Sequence, residues 1–387
     1  MSPAPTAAQA AWLRLNVASA MGPDRLRGWV GRVGLERLSQ AGPEELAAAG
    51  GLALEAARRL RDALDGFDLR REWESAQDLG LRILAWDEPE FPELLRSITD
   101  APLVLYVWGR LDAGRDALAF VGSRQPTPYG RRMTRQLVRE ASARFVITSG
   151  LARGIDTEAH RAALDSQGTT WAVLGSGLGR IYPPENAALA QEIVAGGGCL
   201  MSEFPLGTEP LPGHFPRRNR IVAGLCWATV VVEGRDKSGS LITARLAAQQ
   251  GREVFAVPGP ADSALSEAPL RLISQGAKMV RSMADIWPEL PPGCQVSPSD
   301  APASVSAVSG HMEGGQAPRK GIPHSAALLA PAHEKILQLL GSETRSIAEL
   351  GAESGLDISS LTQTLFELEL QDLVEAVPGQ RYAKKSS

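Results

Sequence analysis

Apolar residues recur with different spacing in successive parts of the chain. Before about residue 75 they follow helical spacing, beginning with Trp12, Leu13 and Leu15, and this predicts several short helices. From Leu81 onward, short apolar runs bounded by turn residues alternate with helical patterns. Such alternation is typical of a parallel sheet with helices packed against it, so we predict an α/β domain.

Eight apolar runs are predicted to be strands. They lie at 81–86, 103–108, 118–121, 145–148, 170–174, 199–201, 229–232 and 254–257. The last two runs are apolar almost throughout, as a strand covered on both faces requires. We therefore expect these two strands to be central and parallel.

Composition changes again after the predicted sheet. Residues 291–330 are rich in Pro, Ser, Ala and Gly, which is typical of a flexible linker. Beyond it, three helical patterns and a Pro378-Gly379 turn predict a winged-helix-like fold. The sequence thus predicts a helical domain at 1–75, the α/β domain at 76–290, the linker at 291–330 and the terminal domain at 331–387.

The two terminal domains carry weaker indications of function. Residues 20–26 resemble a helix-hairpin-helix turn, whose amides hold a DNA phosphate, but a helical bundle that packs on its neighbour explains them equally well. The segment from Ala332 onward contains nine acidic residues and five basic ones. This balance disfavours a role in reading duplex DNA and favours protein contact or autoregulation.

Charge is concentrated locally in this chain. The 387 residues have a formal net charge of −4, so binding of a polyanion requires a local cluster of positive charge. Residues 120–161 hold eight arginines against three acidic residues. The three isolated cysteines favour a reducing compartment. Because we find neither a signal peptide nor a membrane-length apolar run, we predict a cytoplasmic location and no membrane partner.

Glycine, serine and arginine follow several of the predicted strands. Because ligands bind at the carboxyl ends of parallel strands, we predict a phosphate-binding edge there. Its candidate residues are Gly122, Ser123 and Arg124 after the third strand, Ser149, Gly150 and Arg153 after the fourth, and Gly175 after the fifth. Arg124 is the strongest candidate for a phosphate contact.

Residues 215–259 contain two predicted helix starts, and each suits an anion. The first comprises Phe215, Arg218, Asn219 and Arg220, and the second comprises Lys237, Ser238, Gly239, Ser240 and Thr243. Helical geometry rotates Arg218 by about 100° from Arg217. We therefore predict that Arg218 reaches the strand ends and shares a phosphate with the amides of residues 238–240. Phe215 is either a stacking platform for a base or a hydrophobic staple.

Other polar residues favour structural roles. Asp156 and His160 lie one helical turn apart, and Asp near a helix start is usually a cap. Glu203 is expected to orient an arginine. Arginines 131, 132, 135 and 139 share a helical face that either contacts DNA or is only solvated. No catalytic set, Walker lysine motif or metal cluster emerges from the sequence. We therefore predict a binding protein that is not an enzyme and uses no cofactor or metal.

An ordered series of motifs resembles the bacterial DNA-processing protein A family. The series is VGSR (121–124), SGLARGID (149–156) with AH (159–160), YPPEN (182–186), SEFP (202–205), FPRRNR (215–220) with GL (224–225), SGS (238–240) with TA (243–244), and FAVPG (255–259). The resemblance implies an extended Rossmann-like domain that binds single-stranded DNA without sequence preference. It also implies a homodimer that helps to load a RecA-type recombinase in natural transformation. A single-strand binding protein is a further candidate partner.

Two departures and one alternative qualify the resemblance. Pro184 stands where the family commonly has lysine, and the sequence at 268–273 lacks the usual Gly and Asn. The alternative is a Rossmann-like enzyme that hydrolyses the glycosidic bond of nucleoside monophosphates. Such enzymes place a catalytic Glu soon after the Gly-rich loop, where this chain has Thr243, Ala244 and Arg245.

Overall fold

A computed structural model describes residues 4–294 and parts of the C-terminal region. The described C-terminal residues are 331–340, 344–354, 361, 364, 365, 368, 373–377 and 381–384. The chain divides into two compact units, Met1–Asp300 and Ala301–Ser387. From residue 295 onward, the predicted linker lies outside the described residues. Within the described ranges, no helix combines the length and apolarity that a membrane span needs.

Six helices precede the sheet. They are α1 (Ala7–Asn16), α2 (Pro23–Val33), α3 (Leu35–Gln40), α4 (Pro43–Gly50), α5 (Leu54–Asp65) and α6 (Leu69–Asp78). Helix α1 begins with a capping box, in which the Thr6 side chain accepts from the Gln9 amide and the Gln9 side chain accepts from the Thr6 amide. Pro occupies the first turn of α2 and α4, where its missing N–H costs no helical hydrogen bond.

Nine strands form one sheet. They are β1 (Leu81–Ala85), β2 (Val104–Gly109), β3 (Ala117–Gly122), β4 (Val146–Ser149), β5 (Thr170–Val173), β6 (Cys199–Ser202), β7 (Ala228–Val232), β8 (Glu253–Ala256) and β9 (Lys278–Met279). Their order across the sheet is β1-β2-β6-β5-β4-β3-β7-β8-β9. All eight predicted strands are present, and β9 is additional. Strands β7 and β8 are parallel and internal, as expected.

Two pairings depart from the predicted parallel sheet. Strand β1 pairs with β2, and β2 pairs with β6, in antiparallel fashion. The remaining pairs, from β6 across to β9, are parallel. The fold is therefore a mostly parallel, extended Rossmann-like α/β sheet, which confirms the predicted class.

The helices of the sheet region cover both faces. They are α7 (Glu93–Arg96), α8 (Pro128–Ala141), α9 (Ile155–Asp165), α10 (Ala187–Ala195), α11 (His214–Gly224), α12 (Gly239–Gln249) and α13 (Glu267–Ser274). Helices α8, α9 and α10 share one face with the N-terminal helices, and α7, α11, α12 and α13 cover the other. Residues 268–273, where the sequence departs from the family pattern, lie within α13.

The N-terminal helices share a hydrophobic core with the sheet. One continuous cluster contains Trp12 and Leu26 from the helices together with Ile83 and Leu200 from the strands. Polar contacts reinforce this packing, because the Asn16 side-chain amide donates to the Glu203 carbonyl over 2.8 Å. The predicted domain boundaries remain a prediction, but residues 4–294 form one packed body.

The C-terminal unit contains helices α14 (Pro331–Leu340) and α15 (Ile347–Ser354) and a three-stranded sheet. Its strands are β10 (Arg345–Ser346), β11 (Val374–Val377) and β12 (Arg381–Lys384), and β12 lies between the other two. Ile336, Leu350, Leu361 and Val374 are among its buried residues. Two helices beside a β-ribbon agree with the predicted winged-helix-like class. The predicted Pro378-Gly379 turn lies outside the described residues.

Candidate nucleic-acid interface

The chain direction across the sheet reverses between β3 and β7. Strand β3 continues through α8 to β4 on one side, whereas β7 continues through α12 to β8 on the other side and on the opposite face. In open α/β sheets, ligands bind in the crevice outside the strand ends at such a reversal. The register pairs Gly122 of β3 with Val232 of β7. The crevice therefore opens just beyond these two residues, and we call it the β3–β7 crevice.

Arg124 lies at the mouth of the β3–β7 crevice with its side chain exposed. It forms no hydrogen bond or ion pair within the described part of the chain. Ser123 beside it is buried, and its Oγ accepts from the Gln125 amide over 3.1 Å. A Cβ on Gly122 would lie 1.9 Å from the Val232 carbonyl oxygen. Of the three predicted residues, Arg124 is thus the one with a side chain free for a ligand.

A strained loop follows β4. Leu151 has a φ of 57° and Gly154 a φ of 80°, and the first value is unusual for a residue with a side chain. Oδ2 of buried Asp156 accepts from the amides of Gly150 and Ala152 over 3.0 and 3.3 Å. Ser149 is fully buried, and its hydroxyl donates to a backbone carbonyl. Asp156 therefore shapes this loop, which agrees with its predicted structural role.

Arg218 is buried beneath the same loop rather than free at the crevice. Its Nη1 donates to the Gly150 carbonyl over 2.6 Å and to the Val173 carbonyl. Burial lowers the pKa of Arg218 to about 10, although Asp156 opposes that shift. A Cβ on Gly150 would lie 2.4 Å from the guanidinium. Arg218 does reach the strand ends, where these two backbone carbonyls hold its guanidinium. The expected sharing of a phosphate between Arg218 and the amides of residues 238–240 stays a prediction.

The other two arginines at the start of α11 converge on Glu203. Arg217 and Arg220 each donate to Oε2 of Glu203, over 2.8 and 2.6 Å. Arg220 is 4% exposed and also contacts Asp100. The interpretation of Glu203 as a residue that orients arginines agrees with these contacts. Arg218 also has partners different from those of Arg217 and Arg220, as the helical geometry predicts.

Two aromatic rings meet beyond β5. The rings of Phe215 and Tyr182 have centroids 5.6 Å apart and an interplanar angle of 51°. Phe215 lies against Gly175, where a Cβ would come within 2.8 Å of its ring. Tyr182 is 37% exposed. The pair is positioned to offer an aromatic surface at the same edge of the sheet as Arg124.

Helix α12 begins on the β7 side of the crevice without a side-chain cap. Lys237 and Gly239 are exposed, whereas Ser240 and Thr243 are buried. The hydroxyls of Ser238 and Ser240 lie 2.7 Å apart, and the Thr243 hydroxyl donates to the Gly239 carbonyl. Asn219 joins the two predicted helix starts by donating to the same carbonyl over 3.4 Å. The backbone amides at the helix start, rather than these hydroxyls, are therefore the groups suited to an anion.

The arginines of α8 are only partly neutralised. Arg131 and Arg135 both form ion pairs with Glu158, over 2.9 and 2.8 Å. The guanidinium of Arg132 stacks over Tyr129 at 5.5 Å. Exposed Arg139 has no acidic partner among the described residues. Arg153, a predicted site residue, is exposed and forms an ion pair with Glu185 that raises the pKa of Arg153.

The region that resembles a helix-hairpin-helix turn packs close to the start of α11. Gly22 has a φ of 101° and precedes Pro23 of α2. A cleft of about 290 Å³ separates this turn from Arg217 and Arg220. The turn thus packs on its neighbour, which agrees with the bundle interpretation, and contact with DNA stays a prediction.

Sequence reasoning missed a cavity at the carboxyl ends of β7 and β8. Its volume is about 420 Å³, and its walls include Tyr129, Glu233, Pro258 and Pro260. Glu233 follows β7 directly, has a φ of 56° and is 7% exposed. An acidic residue straight after a buried strand was a signal that could have indicated this position.

Taken together, the fold and this edge define a class: Rossmann-like proteins whose sheet has a crevice, at the reversal between β3 and β7, suited to an anionic ligand. Residues 82–291 match the family described as DNA recombination-mediator protein A, and residues 322–380 match the DprA winged helix domain. Protein Smf of Escherichia coli K12 is 41% identical over 295 residues, which cover 76% of this chain and 75% of that protein.

A solved structure and a second relative by sequence give the same result. DNA processing protein A from Streptococcus pneumoniae is similar with a TM-score of 0.64 and 33% identity, over 73% of this chain and 98% of that chain. DNA processing protein DprA of Bacillus subtilis 168 is 42% identical over 241 residues, which cover 61% of this chain and 80% of that protein. The chain therefore belongs to the DNA recombination-mediator protein A family.

Proposed function

We propose that this chain binds single-stranded DNA along the carboxyl edge of its sheet. The DNA lies across the carboxyl ends of strands β5, β4, β3 and β7, with the Tyr182–Phe215 pair at one end of its path and the start of α12 at the other. Three inter-strand steps of about 4.8 Å make this path about 14 Å long. Stacking on aromatic rings and phosphate contacts with arginine are the two means by which proteins hold single strands without reading sequence.

The observation that carries this proposal is Arg124 at the β3–β7 crevice, which is exposed and has no hydrogen-bond or ion-pair partner among the described residues. Most other cations along the edge already have partners, since Arg153 pairs with Glu185 and Arg218 is buried. Arg218 interacts electrostatically with Asp156 as well as with Arg124, so the buried carboxylate balances its charge. A phosphate at the crevice would thus gain mainly from Arg124.

The test is fluorescence anisotropy with single-stranded and duplex oligonucleotides over a range of salt concentrations. We expect tighter binding to the single strand, with a slope of about −0.7 in log K per neutralised phosphate. Arg124→Ala should weaken binding and flatten the slope by about one such unit. Unchanged affinity and slope in folded Arg124→Ala protein would contradict the proposal.

Arg110 supplies a matched control for Arg124. It also follows a strand directly and is exposed, but β2 runs antiparallel to β6, so Arg110 lies at the opposite edge of the sheet. Arg110→Ala removes the same charge and should leave the affinity within about two-fold of wild type, since screening weakens a distant charge. Equal losses in the two variants would indicate attraction by overall charge rather than a site.

We also propose the partners that family membership suggests. The chain acts as a homodimer without catalytic activity in the cytoplasm, and it assists a RecA-type recombinase on the bound strand. In this proposal residues 291–330 tether the winged-helix-like domain, which contacts protein. Analytical ultracentrifugation tests the dimer. RecA ATPase activity on DNA coated with single-strand binding protein, with and without this chain, tests loading, and no acceleration would contradict it.

A further inference from the structure

The cavity beyond β7 and β8 has the features of a ligand site that the proposed phosphate path does not use. Its volume of about 420 Å³ falls within the range of small-molecule pockets. Tyr129, Pro258 and Pro260 provide apolar walls, and Glu233 and Thr127 provide polar groups. Mostly apolar walls with a few converging polar groups suit a flat, partly polar ligand such as a nucleobase.

The cavity lies next to the β3–β7 crevice. Register pairs Gly122 with Val232 and Val231 with Ala256, so the segments after β3, β7 and β8 are neighbours. Two inter-strand steps separate the ends of β3 and β8 by about 10 Å. A DNA strand with a phosphate bound at Arg124 can therefore place an adjoining base in the cavity.

Glu233 lies against the start of α8 and has an unusual backbone conformation. Its φ of 56° is unusual for a residue with a side chain, and such outliers concentrate at functional sites. Its carboxylate accepts from the Thr127 amide over 2.8 Å and from the Thr127 hydroxyl. A carboxylate has about four acceptor positions, so it can accept further hydrogen bonds from a ligand in the cavity.

We propose that this cavity binds one base of the DNA strand and selects a base with an exocyclic amino group. The inference rests on the proposed function. A carboxylate accepts a hydrogen bond from the amino group of cytosine or adenine, whereas thymine and uracil place a carbonyl oxygen at the position of that amino group and offer only an N3–H that is flanked by two carbonyl oxygens, which the carboxylate repels. Tyr129 is fixed by the hydrogen bond from its hydroxyl to the Pro258 carbonyl, over 2.6 Å. Selection at one position is therefore superimposed on binding that is otherwise indifferent to sequence.

The sharpest test compares two single strands of 12 identical nucleotides, oligodeoxycytidine (dC12) and oligodeoxyuridine (dU12). Their bases differ only on the edge that would meet Glu233. A hydrogen bond to a charged acceptor predicts that dC12 binds wild-type protein about ten-fold more tightly than dU12. Glu233→Gln keeps an oxygen for the Thr127 contacts but can also donate, so it should reduce the preference to less than about three-fold. Equal affinity of wild-type protein for dC12 and dU12 would overturn the proposal.

Two further variants keep the test decisive. If Glu233→Gln does not fold, Ser263→Trp fills the cavity from its partly exposed rim and should likewise abolish the dC12 preference while retaining dU12 binding. A preference that survives in folded Ser263→Trp protein would overturn the proposal. Arg124→Ala should weaken dC12 and dU12 equally and keep their ratio. Failure of the proposed function would instead appear as an unchanged affinity of Arg124→Ala for both.

Discussion

Replacing Arg218 by alanine should destabilise the protein far more than replacing its neighbour Arg217. Arg218 is 4% exposed and lies near Asp156, which is itself buried. Removal of one partner from a buried charge pair leaves the other uncompensated and costs about 3–5 kcal/mol. Arg217 has a side chain that is 23% exposed, and Glu203 would retain Arg220. For Arg217→Ala we expect a loss of about 1 kcal/mol or less.

Thermal melting of the two variants measures the difference. A gap of about 2–4 kcal/mol corresponds to a difference in Tm of about 3–7 °C for a body of this size. The double variant Arg218→Ala with Asp156→Asn removes the unpaired charge and should be more stable than Arg218→Ala alone. If Arg218→Ala melts no lower than Arg217→Ala, the buried pair contributes little and the contacts of Arg218 have been misjudged.

The pH dependence of the same variant provides an independent check. Burial raises the pKa of Asp156, and Arg218 opposes this shift. Without Arg218 the pKa should rise further, so the folded state would bind more protons than the unfolded state over a wider range. The destabilisation should therefore be small below the ordinary pKa of Asp and should increase as pH rises through the folded pKa. A difference from wild type that shrinks with rising pH would refute this reasoning.

Three other predictions concern the body formed by residues 4–294. Burial lowers the pKa of His160 to about 3, so the free energy of unfolding should fall as pH drops below about 6.5, by about 2 kcal/mol at pH 5. Urea titrations of wild type and His160→Asn at several pH values test this, and the same dependence of the free energy of unfolding on pH in both proteins would contradict it. Gly122→Ala places a Cβ 1.9 Å from a backbone oxygen, whereas a Cβ at Gly207 meets nothing within 4 Å. Thermal melting should therefore show that Gly122→Ala lowers the free energy of unfolding by about 3 kcal/mol or more, while Gly207→Ala does not. A fragment of residues 81–294 should aggregate while 1–294 remains monodisperse or dimeric by light scattering, because deletion exposes the core shared with Trp12 and Leu26; a well-behaved shorter fragment would contradict this.

The sequence predicted those elements of the fold that leave a regular pattern of apolar residues and turn residues. Strands β1 to β8 were found because each is a short apolar run bounded by turn residues. Strand β9 has two residues, both exposed, and two residues are too few to show a period. The antiparallel direction of β1 and β2 was missed because an apolar run does not encode the direction of the strand it forms.

The candidate site was predictable to the level of residue type and position along the sheet edge. Helical geometry correctly separated Arg218 from Arg217 and Arg220. Its burial was not predictable, because the carbonyl that holds it belongs to Gly150, 68 residues away in sequence. Whether an arginine contacts a ligand or neutralises an internal acid depends on such distant partners, and local pattern contains no information about them.

Selective neutralisation explains how a chain with a net charge of −4 can present a cationic site. Within 120–161, Arg131 and Arg135 are held by Glu158, Arg144 by Asp116 and Arg153 by Glu185. Four arginines of this segment have no acidic partner among the described residues, namely 124, 132, 139 and 161. Of these, Arg124 is the one that lies at the reversal of chain direction in the parallel part of the sheet. Because exposed charges are screened within about 10 Å in ordinary salt, the acidic residues elsewhere do little to weaken its field. Local pairing, rather than overall charge, therefore determines where this chain attracts a polyanion.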